Sequence, residues 1–423
     1  YALAMNLENS RWMLCGGIAT DIVELLSEGY DREHIISVLN QKYGKDTDIL
    51  KRDVALVENK LHSRGVVGAP NLVYSSRYPI NLLIEVTHSC NLKCVYCYVE
   101  HTYEKPPLTI EEQKSIIDQF VDTGGRSLVL SGGEPLLCDF LFDIAEYASR
   151  KDVHDVHIIT NGTLWTDEKV SRAADLNVHV TVSLDGLRKE VHEFLRGKGH
   201  ERVMQAIEMF LDCGMGKTMK ISTTPTQHNL DQIPVIMDFC LDRGIGTFEC
   251  PCFVMRGRGK KEGRPLAPST AQINDLIHLL WNYHRKVGDK LEVESYYISS
   301  LKVLASNKGG AQKCPLGESI RVSPIGHVYP CVFGEDFNLG NVREQSLKKI
   351  LDSSQQLAEL KAFSIDKVEE CRSCAWKYVC GGGCRMAAYE KYGTMISKSA
   401  FCSFQKDEFW NIIWGLILSL IHI

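Results

Sequence analysis

The sequence predicts an α/β protein: a parallel sheet, with a small helical unit before it and a cysteine-rich unit after it. Three observations predict this. Between residues 81 and 253, short β-branched runs alternate six times with helical stretches. Residues 1–68 carry three amphipathic helical patterns of their own. From about residue 311 onward, glycine, cysteine and short segments replace long apolar runs, as in a region organised by metal rather than by a large core.

The chain opens with an extended stretch, LAMNLENSRWMLC, broken by an Asn-Ser turn. Helical patterns run from Ala19 to Ser27, Arg32 to Lys42 and Ile49 to Ser63, with breaks at Gly29, Tyr30 and Gly44. A turn-rich linker, VVGAPNLVYSSRYP, ends at Pro79. The predicted strands are LLIEV (82–86), SLVLS (127–131), VHIIT (156–160), VHVTVS (178–183), MKISTT (219–224) and TFECPCF (247–253). Helices over 109–123, 140–149, 167–174, 201–213 and 230–243 separate them. Periodicity leaves two architectures open, a doubly wound sheet or an open barrel. The expected units are therefore 1–68, a sheet unit at 79–260, a helical bridge at 261–310, a cysteine-rich unit at 311–405 and an apolar tail at 406–423. The tail's run FWNIIWGLILSLIHI is shorter than the ~20 residues a membrane span needs. It reads as a docking helix or a non-native ending, and no function is placed on it.

A length of 423 residues suggests two or three domains at about 150 residues each. With 44% hydrophobic and 24% charged residues, a sizeable core is available. The net charge of −5 argues against a nucleic-acid partner held through its phosphates. No secretion signal opens the chain, whose first residue is Tyr1 rather than Met, as in a trimmed sequence. Its 16 cysteines are therefore expected in a reducing cytoplasm, where grouped thiols point to metal and not to disulfides. Scattered ones such as Cys15, Cys138, Cys213 and Cys240 fit as core fillers.

Directly after the first strand comes HSCNLKCVYCY, which places Cys90, Cys94 and Cys97 on one loop. Three thiolates can ligate three irons of a cubane and leave the fourth without a protein ligand. An open metal position separates catalytic from structural sites. Tyr96 would help keep water from such a cluster. A three-cysteine zinc site is the structural alternative.

The neighbouring motifs carry a resemblance. From about Pro79 to Gly259 the chain resembles the radical S-adenosylmethionine superfamily: the Cys-x3-Cys-x2-Cys loop, then SGGEPLL after the second strand, Thr160-Asn161-Gly162 after the third, and SLDG with His192 and Leu195-Arg196-Gly197 after the fourth. Each falls at the C-terminal end of a strand, where parallel β/α barrels place their active sites. The resemblance implies a partial (β/α)6 barrel whose Cys90, Cys94 and Cys97 hold a [4Fe–4S] cluster. It further implies cofactor contacts from Tyr98, Gly132, Gly133, Glu134, Asn161, Ser183, Asp185 and Arg196. Glu134 would sit near the cofactor's methionine amino group, and Gly132 and Gly133 would let the backbone approach the ligand. Ser183 and Arg196 would meet ribose and carboxylate, Arg being suited to a bidentate carboxylate contact.

The later cysteines, Cys314, Cys331, Cys371, Cys374, Cys380, Cys384 and Cys402, are similar to the seven-cysteine pattern of the SPASM extension, found in radical enzymes that modify peptides. By that resemblance Cys371, Cys374, Cys380 and Cys402 hold one auxiliary [4Fe–4S] cluster, and Cys314, Cys331 and Cys384 hold another. A maturase-like fourth ligand would precede Cys314, yet residues 307–313 contain no cysteine. That cluster then has an open iron or borrows a distant ligand, for which Cys250 or Cys252 is conceivable. Both point to one face of the predicted sixth strand, where barrel packing is the favoured reading. A zinc ribbon is the structural alternative for residues 371–384.

Residues 1–68 are similar to small winged-helix peptide-recognition domains of the pyrroloquinoline-quinone peptide-chaperone type, which accept an extended leader peptide as an added strand. A DNA-binding winged helix shares the pattern, but here acids slightly outnumber bases. Together the resemblances imply a maturase of ribosomally made peptides, using S-adenosylmethionine and three [4Fe–4S] clusters, one of them cofactor-binding. The product expected is a sulfur-to-carbon thioether crosslink, because an open auxiliary iron could bind a substrate thiolate. The implied partners are a precursor peptide, bound through its leader by residues 1–68, and an electron donor such as flavodoxin or ferredoxin; nucleic acid and membrane are not expected. Carbon–carbon crosslinking, decarboxylation, a haem-precursor or sulfatase substrate, and a non-catalytic metal protein remain the competing readings. Glu249, His228, Asp185 and Tyr297 are general-base candidates, none assigned.

Overall fold

The computed structural model of the chain describes residues 2–6, 11–67, 78–99, 105–151, 153–261, 266–306, 314, 316–332, 334–402, 409–411 and 415. The linker between 68 and 77, residues 307–313 and most of the apolar tail lie outside these.

Strands β1 (Ala2–Met5) and β2 (Trp12–Cys15) form an antiparallel ribbon with Met5 opposite Trp12. Three helices follow, Ile18–Ser27, Arg32–Tyr43 and Thr47–Ser63. Asp31 caps the second by accepting from His34 N at 2.8 Å, and Asp46 caps the third from Asp48 N at 2.7 Å. Leu50, Val54, Val57 and Leu61 recur at helical spacing and pack with Ile22, Ile35 and Leu39 into a core separate from the main one.

The main sheet has ten strands. In chain order they are β3 (Asn81–Thr87), β4 (Ser127–Gly132), β5 (Asp155–Thr160), β6 (His179–Ser183), β7 (Met219–Ser222), β8 (Thr247–Glu249), β9 (Glu292–Glu294), β10 (Ser319–Val322), β11 (His327–Tyr329) and β12 (Gly340–Asn341). Their spatial order is β12-β11-β10-β3-β4-β5-β6-β7-β8-β9. Every pair from β10 through β3 to β9 is parallel, and only the last two strands at the β10 edge are antiparallel. The six expected strands are thus the middle of a longer parallel run. On β3, Leu82, Ile84 and Val86 share the main core with Ile116, Ile117 and Phe120 of the helix Ile110–Asp122. Leu83, Glu85 and Thr87 take the opposite face, as a two-residue period demands.

Three expectations need correction. The strand expected over 247–253 stops at Glu249, so Cys250 and Cys252 lie beyond it and do not share a strand face. The bridge expected to be helical holds the helices Thr270–Val287 and Tyr296–Ser306, but also β9, whose Glu-Val-Glu is too short and polar to register as a strand. The cysteine-rich unit is not held by metal alone. Its β10 and β11 join the barrel sheet, and Ile320, Val322 and Val328 are buried in the main core. In the tail, Phe409 is fully buried, its ring 5.2 Å from that of Trp376, and Trp410 stacks edge-on at 5.0 Å.

The N-terminal ribbon reaches the main core through Trp12 and Met5. Trp12 is buried in the main core and its Nε1 donates to Leu304 O at 2.9 Å. Among the described residues, no helix is long and apolar enough to cross a membrane.

Candidate functional site

The loop after β3 carries Cys90, Cys94 and Cys97, and the three thiols lie close enough to influence one another's ionisation. Burial pushes Cys94 up to about 11, with Arg196 acting in the opposite direction. The loop is held by backbone contacts. Val95 N donates to Leu195 O at 2.9 Å, Arg258 N to Cys97 O at 2.9 Å and Arg258 Nε to Cys94 O at 2.8 Å.

Gly132 ends β4 and Gly133 follows it, and both sit against the chain entering the cysteine loop. A Cβ on Gly132, whose φ is +127°, would lie 2.2 Å from Thr87 O, and one on Gly133 would lie 2.1 Å from Ser89 O. They let the turn close on the chain entering the cysteine loop, with Gly133 N donating to Thr87 O and Glu134 N to Ser89 O, both at 2.8 Å. Glu134 is fully buried, and burial raises its carboxyl. Thr160 Oγ1 donates to its Oε1 and Asn161 N to its Oε2, both at 2.7 Å. Both of its oxygens thus organise the turn after β5. Asn161 in turn donates through Nδ2 to Asn91 Oδ1 at 2.8 Å, and Asn91 donates to Thr163 Oγ1 at 2.8 Å. Asn91, between the first two cysteines, therefore locks the loops after β3 and β5 together.

The fourth motif gathers around a buried acid. Asp185 is fully buried; Tyr96 donates its hydroxyl to Oδ2 and Thr224 N donates to Oδ1 at 3.0 Å. The short helix Lys189–Arg196, which the sequence reading missed, presents His192, whose Nδ1 accepts from Asp185 N at 3.3 Å, and Arg196. Arg196 Nε stands 3.6 Å from Asp185 Oδ2, its guanidinium 5.9 Å from the Tyr96 ring centre and beside Cys94 and Cys97. That Nε is buried and makes no hydrogen bond among the described residues. A buried guanidinium with a spare donor, next to three thiols, fits a carboxylate-bearing ligand. Ser183 is buried at the end of β6. Tyr98 lies beside Cys97 and near an uncalled ion pair: buried Arg321 on β10 donates to Glu85 of β3 at 3.1 Å and to Glu335 at 3.3 Å. A single charge inside the apolar runs LLIEV and SIRV was the available signal.

The seven downstream cysteines form two groups. Cys371, Cys374, Cys380 and Cys402 line one cavity, with Ile365, Trp376 and Phe409 as its apolar wall. In the other group the Cys314 thiol donates to Cys384, and Cys331 acts on Cys314 through its charge. Gly381, Gly382 and Gly383 link the groups in consecutive left-handed conformations, φ +58°, +81° and +70°. A side chain at Gly383 would meet Ser399 Oγ at 2.5 Å. Cys384 caps the helix Arg385–Tyr392, its Sγ accepting from Ala387 N at 3.5 Å. Arg385 is fully buried and donates to Met395 O at 2.8 Å and Ser397 O at 2.7 Å; burial raises Cys371 and Cys380, with the Arg385 charge acting in the opposite direction, while the hydrogen bond from Cys314 lowers Cys384. Two groups of converging cysteines, one of them lining an apolar cavity, with the buried Arg385 close to both, fit thiolate-held iron–sulfur clusters.

Of the base candidates, Glu249 is half-buried and bonded to Ser222, and Tyr297 accepts from Phe253 N at 3.4 Å. His228 packs on Phe194 at 5.0 Å.

Comparison with known proteins agrees with this arrangement. Residues 84–240 match the radical SAM superfamily and residues 314–375 match SPASM, an iron-sulfur cluster-binding domain. The AdoMet-dependent heme synthase of Methanosarcina barkeri is 29% identical over 346 residues, covering 76% of this chain and 95% of that protein. The subtilosin biosynthesis protein AlbA of Bacillus subtilis is 27% identical over 345 residues, covering 78% and 72%. The crystal structure of Streptococcus suis SuiB is similar with a TM-score of 0.63 at 18% identity, covering 93% of this chain and 94% of that one. SuiB bound to the precursor peptide SuiA gives a TM-score of 0.62 at 17% identity and the same coverage.

Proposed function

Because the chain is an enzyme of the radical SAM superfamily with a SPASM domain, we propose that it matures a ribosomally made precursor peptide. The observation that carries this reading is the N-terminal unit. It has its own core and a two-stranded ribbon on which an extended leader could add as a strand. The fold match to SuiB covers 93% of the chain, which supports counting the N-terminal unit within it. That protein has been seen with a precursor peptide bound. Trp12 fastens the unit to the helix Tyr296–Ser306, beside the downstream cysteines.

In this reading Cys90, Cys94 and Cys97 hold the cofactor-binding cluster, and Tyr98, Gly132, Gly133, Glu134, Asn161, Ser183, Asp185 and Arg196 form its surroundings. When bound, that cluster and S-adenosylmethionine supply a 5′-deoxyadenosyl radical able to abstract hydrogen from the peptide. Arg196 holds the cofactor's carboxylate and Asp185 keeps Arg196 in place. Glu134 holds the turn after β5 through both of its oxygens. Tyr96, Leu195 and Leu266, packed together, exclude water from the cysteine loop. Cys371, Cys374, Cys380 and Cys402 hold one auxiliary cluster, and Cys314, Cys331 and Cys384 belong to the second, three clusters in all. A flavodoxin- or ferredoxin-type donor in the cytoplasm would supply the electrons. The thioether product expected from the sequence requires the second auxiliary cluster to keep an iron free for a substrate thiolate.

A second reading, a haem-precursor substrate, is favoured by the heme synthase relative, although that match leaves about a quarter of this chain unaligned. One experiment separates the two. The anaerobically reconstituted chain is given S-adenosylmethionine, reductant and the peptide encoded beside its gene, and products are followed by mass spectrometry. Peptide maturation predicts a mass change on the peptide that disappears on removal of residues 1–67, while 5′-deoxyadenosine formation persists. An unmodified peptide, with turnover of a porphyrin instead, would sink the proposal.

A further inference from the structure

Cys252 has no part in the ligand sets assigned so far. Beyond β8 its path diverges from that of Cys250. Cys250 is fully buried in the main core, near Glu249 and Asp185. Cys252 turns toward the cysteine-rich unit. Its thiol accepts from the Tyr297 hydroxyl and lies beside Cys384, close enough for the two charges to oppose each other. Cys384 in turn accepts from Cys314, which senses Cys331. Thiols from the end of β8, the approach to β10 and the cap of the helix Arg385–Tyr392 therefore meet, with Cys331, after β11, beside Cys314.

An independent observation points to a group between them. Tyr296 neighbours Cys314, Cys384, Cys252 and Cys380, and its hydroxyl is buried without a hydrogen-bond partner among the described residues. A buried hydroxyl is costly unless it finds an acceptor. Hydrogen bonds to cluster sulfurs are a recognised means of satisfying such donors and of tuning the cluster.

We propose that Cys252 is the fourth protein ligand of the auxiliary cluster held by Cys314, Cys331 and Cys384. Ligation adds one iron–sulfur bond and releases the thiol proton to solvent, with no electron transferred. The cluster then has no iron free for substrate sulfur, and its part in the reaction is to relay electrons. The thioether expectation loses its support, while peptide maturation itself is untouched. The inference rests on the SPASM assignment and not on the peptide reading.

The test uses the anaerobically reconstituted full chain, with S-adenosylmethionine present to occupy the first cluster. Cys252→Ala is expected to lose about four irons per chain, or to retain a three-iron cluster with its own electron paramagnetic resonance signal after oxidation. Cys250→Ala is expected to keep the native iron, sulfide and spectrum. Native iron content and spectrum in Cys252→Ala would overturn the proposal. Should that variant fail to fold, the native chain supplies a second measurement. Titrating it with 2-mercaptoethanol should leave the reduced auxiliary signals unchanged, and a thiol-dependent shift would refute a closed cluster. Neither measurement involves a peptide, so failure here is distinct from failure of the peptide reading.

Discussion

Arg196 and Arg385 are two buried cations, each set among thiols, and they were unequally legible. Arg196 falls in a motif that pointed to a carboxylate contact, and the structure adds its partner, the fully buried Asp185. Nothing in the sequence said that Arg385, next to Cys384, turns inward between two groups of cysteines. Replacing Arg196 by Met leaves the Asp185 carboxylate buried without its cation, at a cost of about 3–5 kcal/mol. Losing a charge-assisted contact should also weaken S-adenosylmethionine binding roughly 10- to 100-fold. Thermal denaturation and calorimetric titration check the two effects separately. Native affinity in Arg196→Met would remove the residue from the cofactor site.

At the scale of elements, the turn at the end of β4 is fitted to the chain entering the cysteine loop, and a side chain at either of its glycines would meet the carbonyl of Thr87 or Ser89. Gly133→Ala must move one of two backbones apart, so a loss of about 1–3 kcal/mol is expected, with poorer loading of the first cluster. Iron content and the S-adenosylmethionine-dependent change in its spectrum would report this. Between β5 and β6, burial lowers His157 to about 4, helped by the charge of Lys220, and its Nε2 pairs with Thr181 Oγ1. Below its ordinary pKa of about 6.5 the unfolded chain takes up a proton that the native chain refuses. The stability this residue contributes is therefore complete above pH 6.5 and falls by about 1.4 kcal/mol per pH unit toward pH 4. Unfolding midpoints measured from pH 7.5 to 5 should decline less steeply in His157→Gln than in the native chain.

On the scale of the whole molecule, two long-range joints define the architecture. One is the parallel pairing of β10 with β3, which brings buried Arg321 against Glu85. It makes the cysteine-rich unit a continuation of the barrel sheet. The other is Trp12, which ties the N-terminal ribbon to Leu304. Trp12→Ala removes a buried indole and should cost about 3–5 kcal/mol. Limited proteolysis should then release the N-terminal unit faster, while 5′-deoxyadenosine formation without peptide stays near native. An unchanged cleavage rate would mean that the unit is held elsewhere.

The amino-acid sequence by itself specified the alternating strands and helices and the cysteine spacing of the first loop. It also placed the motifs at strand ends. These signals are local: a two-residue or 3.6-residue period and a fixed ligand interval survive in a linear reading. The two short parallel strands β9 and β10, the engagement of Glu134 with the turn after β5, and the choice of Cys252 over Cys250 as the thiol that approaches Cys384 were not legible. Each depends on segments far apart in the chain being packed together, and packing is set by buried area and hydrogen-bond satisfaction that no single segment encodes.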